Sequence, residues 1–289
     1  MQDFKPILPD PEDARLTRVV SGKDHLGQEV DTWVVEERPL TIYLNKQEIV
    51  TAMTIGDHPE LLALGFLRNQ GMLLADDLVT GVDFDEELET VVVRTERVTS
   101  YEEKTAKKTR TSGCAVGTVF GDMMEGLEGV KLPEATVRTS DLYALAKEIN
   151  TLPSLYLKAG AIHGSVLCQG RDVTVYMEDV GRHNAVDKIA GWMFREKAEA
   201  SDKVLYTTGR LTSEMVIKTA QMGIPILASR SGFTAWGAEI ANQVGLTLIG
   251  RLRGQRFICL SGHERLIRDA EVSSISDVSR KSGRKSDNE

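Results

Sequence analysis

The stretch VTVYMEDVGRHNAVDKIA, residues 173–190, decides how the rest of the chain is read. An alternating apolar strand ends in two carboxylates, Glu178 and Asp179. A glycine turn carrying Arg182 and His183 follows, and then a helix predicted to start at Asn184, with Asp187 three residues on. Strand, charged turn and helix N-terminus in that order mark an anion site at the end of a buried strand.

Downstream the same design recurs. Strand KVLYTT (Lys203–Thr208) leads into helix SEMVIKTAQM, ended by Gly223, and IPILAS (Ile224–Ser229) leads into helix TAWGAEIANQV, ended by Gly245. LTLIGRL and FICLS (Phe257–Ser261) close the region. Upstream, Ser140 is placed to cap helix DLYALAKEIN, whose Leu142, Leu145, Ala146 and Ile149 share one face. AIHGSVLC (Ala161–Cys168) then forms a hairpin with the opening strand through a QGRD turn. The helix from Asn184 to Glu199 sets Val186, Ile189, Ala190 and Met193 at spacings of three and four. Alternating strands and helices of this length predict an α/β fold over residues 134–269, three-layered with a largely parallel sheet.

Residues 29–133 have a different character and predict a small α+β domain. PLTIYLN (Pro39–Asn45) and QEIVTAMTI (Gln47–Ile55) form a hairpin about Asn45-Lys46. Pro59 opens a helix that Gly71 ends, with Leu61, Leu62, Gly65 and Phe66 as its apolar stripe, and TVVVRT (Thr90–Thr95) adds a strand. From Arg97 to Gly113 the chain is polar and basic, which predicts a mobile surface loop ending in the GCAVG turn that holds Cys114. Residues 1–28 lack periodicity and are expected to form a flexible arm, and 270–289 a disordered tail.

The 289 residues carry a net charge of −8, 41% apolar and 27% charged residues, as in a soluble globular protein. Wholesale nucleic-acid binding does not fit that charge, though a local basic pocket does. No apolar run is long enough to span a bilayer, and the N-terminus lacks the pattern of a secretory signal. Three widely spaced cysteines argue against a disulfide scaffold and for a reducing cytoplasm.

Ligands of open α/β sheets bind beyond the carboxyl ends of parallel strands. Here those ends are EDVGRHN (178–184), TGRLTSE (208–214), SRSGFT (229–234) and RLRGQR (251–256), and every one carries arginine: Arg182, Arg210, Arg230, then Arg251, Arg253 and Arg256. Arginine adds forked donors suited to phosphate. Paired surface charges would explain one such loop; four along one edge point to a phosphorylated or carboxylated ligand. His183 either bonds to backbone or takes a chemical role, and His163 is either a core histidine or, beside Gly164, a residue at a site of close ligand approach. Asp179 and Asp187 read as orienting and capping groups. Cys168 and Cys259 sit in apolar strands as packing residues. Cys114 follows the lysine-rich segment Lys104–Arg110 and precedes a helical run, two features that favour a thiolate.

EDVGRHNAVDK, TGRLTSEM, GIPILASRSGFTAWGAEIA and the SGC turn together resemble the FdhD family of formate dehydrogenase accessory sulfurtransferases, from about Glu36 to Leu266. The resemblance implies a cytidine-deaminase-like second domain and a homodimer. It also implies transfer of persulfide sulfur from a cysteine desulfurase to the molybdenum cofactor, bis-molybdopterin guanine dinucleotide, for the formate dehydrogenase catalytic subunit. Cys114 matches the family's persulfide cysteine. Arg251, Leu252, Arg253, Gly254, Gln255 and Arg256 match its cofactor-binding stretch, and Arg182, His183, Arg210 and Arg230 join them as walls of the same pocket. One departure stands out: Gly117 occupies the place of the second cysteine of the family's CxxC pair. The competing expectation is a cofactor-binding chaperone without sulfur chemistry. A zinc deaminase would need a P-C-x-x-C pattern after its His or Cys and Glu, and this chain lacks it. No metal site is expected.

Overall fold

The computed structural model describes residues 5–97, 127 and 129–270. It opens with an antiparallel ribbon of β1 (Thr17–Lys23) and β2 (Glu29–Val35), in which Val19 faces Trp33. The flexible arm expected over residues 1–28 is corrected here for residue 5 onward. Ile7 bridges to Val175, and Leu16 is buried with Ile55, Leu155 and Ile162. Lys158 stands 4.4 Å over the ring of Trp33. A two-stranded ribbon is marginal on its own, so its order comes from distant partners that local periodicity does not register.

The hairpin of β3 (Arg38–Leu44) and β4 (Gln47–Thr54) forms as expected, with Asn45 at φ 55° in its two-residue turn. α1 (Pro59–Asn69) has its proline in the first turn, and Gly71 lies just past its end at φ 69°. With β5 (Val79–Asp85) and β6 (Thr90–Thr95) the sheet runs β4-β3-β6-β5. Alternate residues Leu40, Ile42 and Leu44 of β3 and Val91 and Val93 of β6 pack against Leu62 and Leu67 of α1.

The second sheet is built from β8 (His163–Gln169), β9 (Asp172–Asp179), β10 (Lys203–Thr207), β11 (Ile226–Ser229), β12 (Thr247–Arg253) and β13 (Arg256–Ser261). Its order is β13-β12-β11-β10-β8-β9. Strands β9 to β12 point the same way, yet only β10–β11 and β11–β12 are parallel neighbours. The sheet is therefore mixed rather than largely parallel. The β8–β9 and β12–β13 connections are tight turns, and parallel neighbours need a crossover of a dozen or more residues.

Helices cover both faces. Leu205, Leu227 and Leu248 meet α4 (Arg182–Glu196), α5 (Ser213–Gln221) and α6 (Ala235–Val244). On the other face Val204, Tyr206, Ile226 and Ile249 pack with Leu142, Leu145 and Ile149 of α2 (Thr139–Ile149). The cap on α2 is not Ser140 itself. Asp269 supplies it from the far end of the domain, accepting from the Ser140 backbone N–H at 3.0 Å and hydroxyl at 2.7 Å. Nearby, β14 (Leu266–Ile267) pairs with β7 (Val137–Arg138). α4 begins at Arg182, two residues before the expected Asn184.

The two sheets are joined through α1 and α4. A Cβ on Gly65 would overlap the carbonyl oxygen of Asp187, and one on Gly191 that of Leu61, so glycine lets the backbones touch. Charges beside this crossing are buried and partnered. Asp187 accepts from Asn69 at 2.7 Å and pairs with Lys218 at 2.7 Å. Lys188, fully buried, reaches Asp179 at 2.6 Å, Asp57, and the Glu178 carbonyl at 2.9 Å. Despite its burial, those carboxylates hold the Lys188 ammonium above the ordinary lysine range.

Candidate anion site at the rim of the large sheet

Because β9 to β12 share a direction, the turns that follow them lie along one edge, where α4, α5 and α6 begin. α4 and α5 start without a side-chain cap, leaving first-turn amides and the positive end of each helix dipole at the rim. Thr234 caps α6 by accepting from the Gly237 N–H at 3.2 Å.

Short hydrogen bonds lace the turns together. Ser229 Oγ donates to the Gly209 carbonyl at 2.7 Å, Arg251 N–H to the Ser231 carbonyl at 2.7 Å, and Thr208 N–H to the Gly164 carbonyl at 2.9 Å. Arg182 folds over Gly209, where a Cβ would come within 2.9 Å of its Cδ. Arg230 stacks 4.7 Å from the ring of Tyr156, on α3 (Leu155–Ala159). A cavity of about 430 Å³ is lined by Arg230, Ser231, Gly232, Arg251 and Arg253. Arg251 holds a left-handed backbone at φ 54°, uncommon for a residue with a side chain.

The structure thus brings Arg182, Arg210, Arg230, Arg251 and Arg253 to one rim. Leu252 is not there: its side chain is buried in the core under α2 with Ile249, because the register shift at left-handed Arg251 breaks the alternation of β12. Gly254 and Gln255 make the β12–β13 turn, and Arg256 starts β13 beyond the cavity lining, all three exposed.

His183 sets its Nε2 3.0 Å from Glu214 on α5. Burial pushes this imidazole below its ordinary range, and Glu214 partly offsets that. The pair ties the start of α4 to the start of α5. His163 is half-buried, with Nδ1 3.4 Å from Thr208 Oγ1. Its neighbour Gly164 does not mark close ligand approach: the space a Cβ would fill is taken by the Tyr176 ring, 2.8 Å away. The carboxylates that end β9 are also structural. Glu178 accepts from the N–H groups of Leu155 and Tyr156 at 2.7 and 3.2 Å, and burial pushes its acid up. Asp179 accepts from Thr54 Oγ1 at 2.5 Å and Asn184 Nδ2 at 2.9 Å besides pairing with Lys188. Tyr156, Thr54 and Asp57 escaped the sequence reading because no local pattern links them to the turns they touch.

Cys168 is buried and its thiol is pushed far up by burial; Cys259, half-buried on β13, is pushed up for the same reason. Cys114 and Gly117 lie outside the described residues. Among the described residues no helix is long and apolar enough to cross a membrane.

A profile described as the FdhD/NarQ family matches residues 35–267. The chain belongs to the FdhD/NarQ family. A curated relative from Listeria innocua, the sulfur carrier protein FdhD, is 31% identical over 83% of this chain and 93% of its own length. The protein of the same name from Bacillus subtilis is 28% identical over 82% of this chain and 91% of its own. Among solved structures, a protein assigned as a formate dehydrogenase accessory protein from Desulfotalea psychrophila superposes with a TM-score of 0.72 at 28% identity. That match covers 87% of this chain and 100% of the other. Within the FdhD/NarQ family match lie all four arginine-bearing turns, whereas the β1–β2 ribbon precedes it.

Proposed function

We propose that this protein is a sulfur carrier that serves formate dehydrogenase, passing persulfide sulfur from a cysteine desulfurase to bis-molybdopterin guanine dinucleotide. The observation that carries this reading is the arginine rim. Arg182 lies over Gly209 between the starts of α4 and α5, which have no side-chain cap, and Arg230, Arg251 and Arg253 line the cavity at the ends of β11 and β12, an arrangement suited to a pyrophosphate. Relatives named sulfur carrier protein FdhD support the sulfur role. The sheet order and its two helical faces support a cytidine-deaminase-like layering.

Cys114 is the carrier in this reading. Its thiolate attacks the outer sulfur of the desulfurase persulfide, the desulfurase thiolate leaves, and Cys114 keeps the new S–S bond. The other two thiols fit worse: Cys168 is buried, and burial disfavours the thiolate of both. With Gly117 in place of a second cysteine, one sulfur does the carrying. The family membership supports a homodimer acting in the cytoplasm, which sedimentation and cell fractionation would read.

The test is to incubate the protein with a desulfurase and cysteine and weigh the Cys114 peptide. The reading expects the added mass of one sulfur atom there, and loss of formate dehydrogenase activation in Cys114→Ala. An unmodified peptide together with intact activation by Cys114→Ala overturns it. The position of Gly117 favours a second reading, a cofactor chaperone without sulfur chemistry. In that case Cys114→Ala is harmless while Arg253→Ala abolishes activation.

A further inference from the structure

Among the groups at the rim, His163 has no part in the reading above, yet it stands between the turns that follow β9 and β10. It opens β8, the strand between β9 and β10, so the carboxyl ends of both neighbours flank it. Arg182, at the start of α4, packs on Gly209, next to the Thr208 that meets the His163 ring, and the positive charges of Arg182, Arg230 and Arg210 act on that ring. Thr208 orients the ring through Nδ1.

The nearby carboxylates are turned elsewhere. Asp179, opposite His163 in the β8–β9 register, is taken by Lys188, Thr54 and Asn184. Glu178 caps α3, and Glu214 faces His183. The charges directed at the imidazole are therefore positive. Burial first, and then those cations, hold it below the ordinary histidine range, so it is neutral near neutral pH.

We propose that His163 is a ligand-binding residue of the rim, charging as a pyrophosphate diester arrives and so coupling dinucleotide binding to uptake of one proton from solvent. The inference rests on the rim being the dinucleotide site. A bound dianion among Arg182, Arg210 and Arg230 offsets the repulsion that keeps the imidazole neutral. The imidazolium then adds a charge-assisted donor to the ligand. By linkage the ligand binds more tightly as pH falls from the raised pKa of the bound ring towards the lower one of the free ring, by up to about tenfold for each pKa unit it adds to His163.

The probe is diguanosine pyrophosphate, whose two negative charges do not titrate near neutral pH, so any proton exchanged belongs to the protein. Calorimetry in two buffers of different ionisation enthalpy counts the protons, with wild type and His163→Gln compared. Proton uptake in wild type that vanishes in His163→Gln, together with a flattened pH dependence of affinity, supports the assignment. A second measurement, NMR titration of the His163 ring in wild type, expects a higher pKa with saturating probe. Binding without proton uptake, uptake that persists in His163→Gln, or an unmoved ring pKa overturns the role of His163 and leaves the rim reading standing. Absence of binding overturns the rim reading and this inference with it.

Discussion

The α1–α4 crossing and the rim of the large sheet both gather charged residues, and they use them in opposite ways. At the crossing, Lys188, Lys218, Asp179 and Asp187 are buried and each meets a carboxylate, ammonium or amide of its own chain. At the rim the charge is mostly of one sign, on half-buried or exposed arginines around a cavity. Charges of opposite sign paired in the interior fix geometry, whereas charges of one sign gathered at a concave edge act together on an anionic ligand. Both belong to the same sequence motif. EDVGRHNAVDK gives Asp179, Asp187 and Lys188 to the crossing and Arg182 to the rim.

The sharpest way to break the comparison is at the glycines. Gly191→Leu has no room against the Leu61 carbonyl, and overpacking of this kind is expected to cost about 3 kcal/mol or more, read by urea unfolding. An unchanged midpoint would show that the helices are not in backbone contact. Comparable in size is Lys218→Met, which strands the buried Asp187 carboxylate and is expected to cost about 3–5 kcal/mol. If the crossing and the rim are as different as described, neither kind of loss appears for a rim arginine. Arg253→Ala is expected to leave stability within about 0.5 kcal/mol of wild type. Its affinity for diguanosine pyrophosphate should drop by about tenfold or more in calorimetry.

The smallest effect is on pH. His58, His163 and His183 all have folded-state pKa values below the ordinary histidine value, burial being the first cause in each. The unfolded chain therefore binds more protons below about pH 6.5, so their contribution to stability is complete above that value and is lost on acidification. A drop of a few degrees in Tm between about pH 7.5 and about pH 5.5 is expected, shallower in His163→Gln. A slope unaltered by that substitution would place the titrating groups elsewhere.

The strand-end turns were legible before any coordinates. Strand, charged turn and helix recur in order, and the physics of a helix N-terminus needs no tertiary context to be recognised. What a local pattern did not carry was which way each side chain faced. Leu252 lies in the middle of the stretch matched to cofactor binding and turns into the core. At His163 and Gly164 two readings stayed open, because the local pattern could not show that the space beside Gly164 is filled by Tyr176. The ordered ribbon of β1 and β2 escaped for a related reason, since its packing partners Leu155 and Lys158 lie more than a hundred residues away along the chain.

By itself, then, the sequence determined the alternation of strands and helices, the Asn45-Lys46 hairpin, the caps at Pro59 and Gly71, and the arginines after four strands. These are decided by neighbours within a few residues, through backbone geometry and hydrophobic period. Only the tertiary structure decided that β8 separates β9 from β10, that Gly65 and Gly191 let α1 and α4 touch, and that His163 sits among cations. Those facts depend on pairings between segments far apart in the chain. Close packing and low dielectric act on whatever the fold brings together, and no local pattern encodes that.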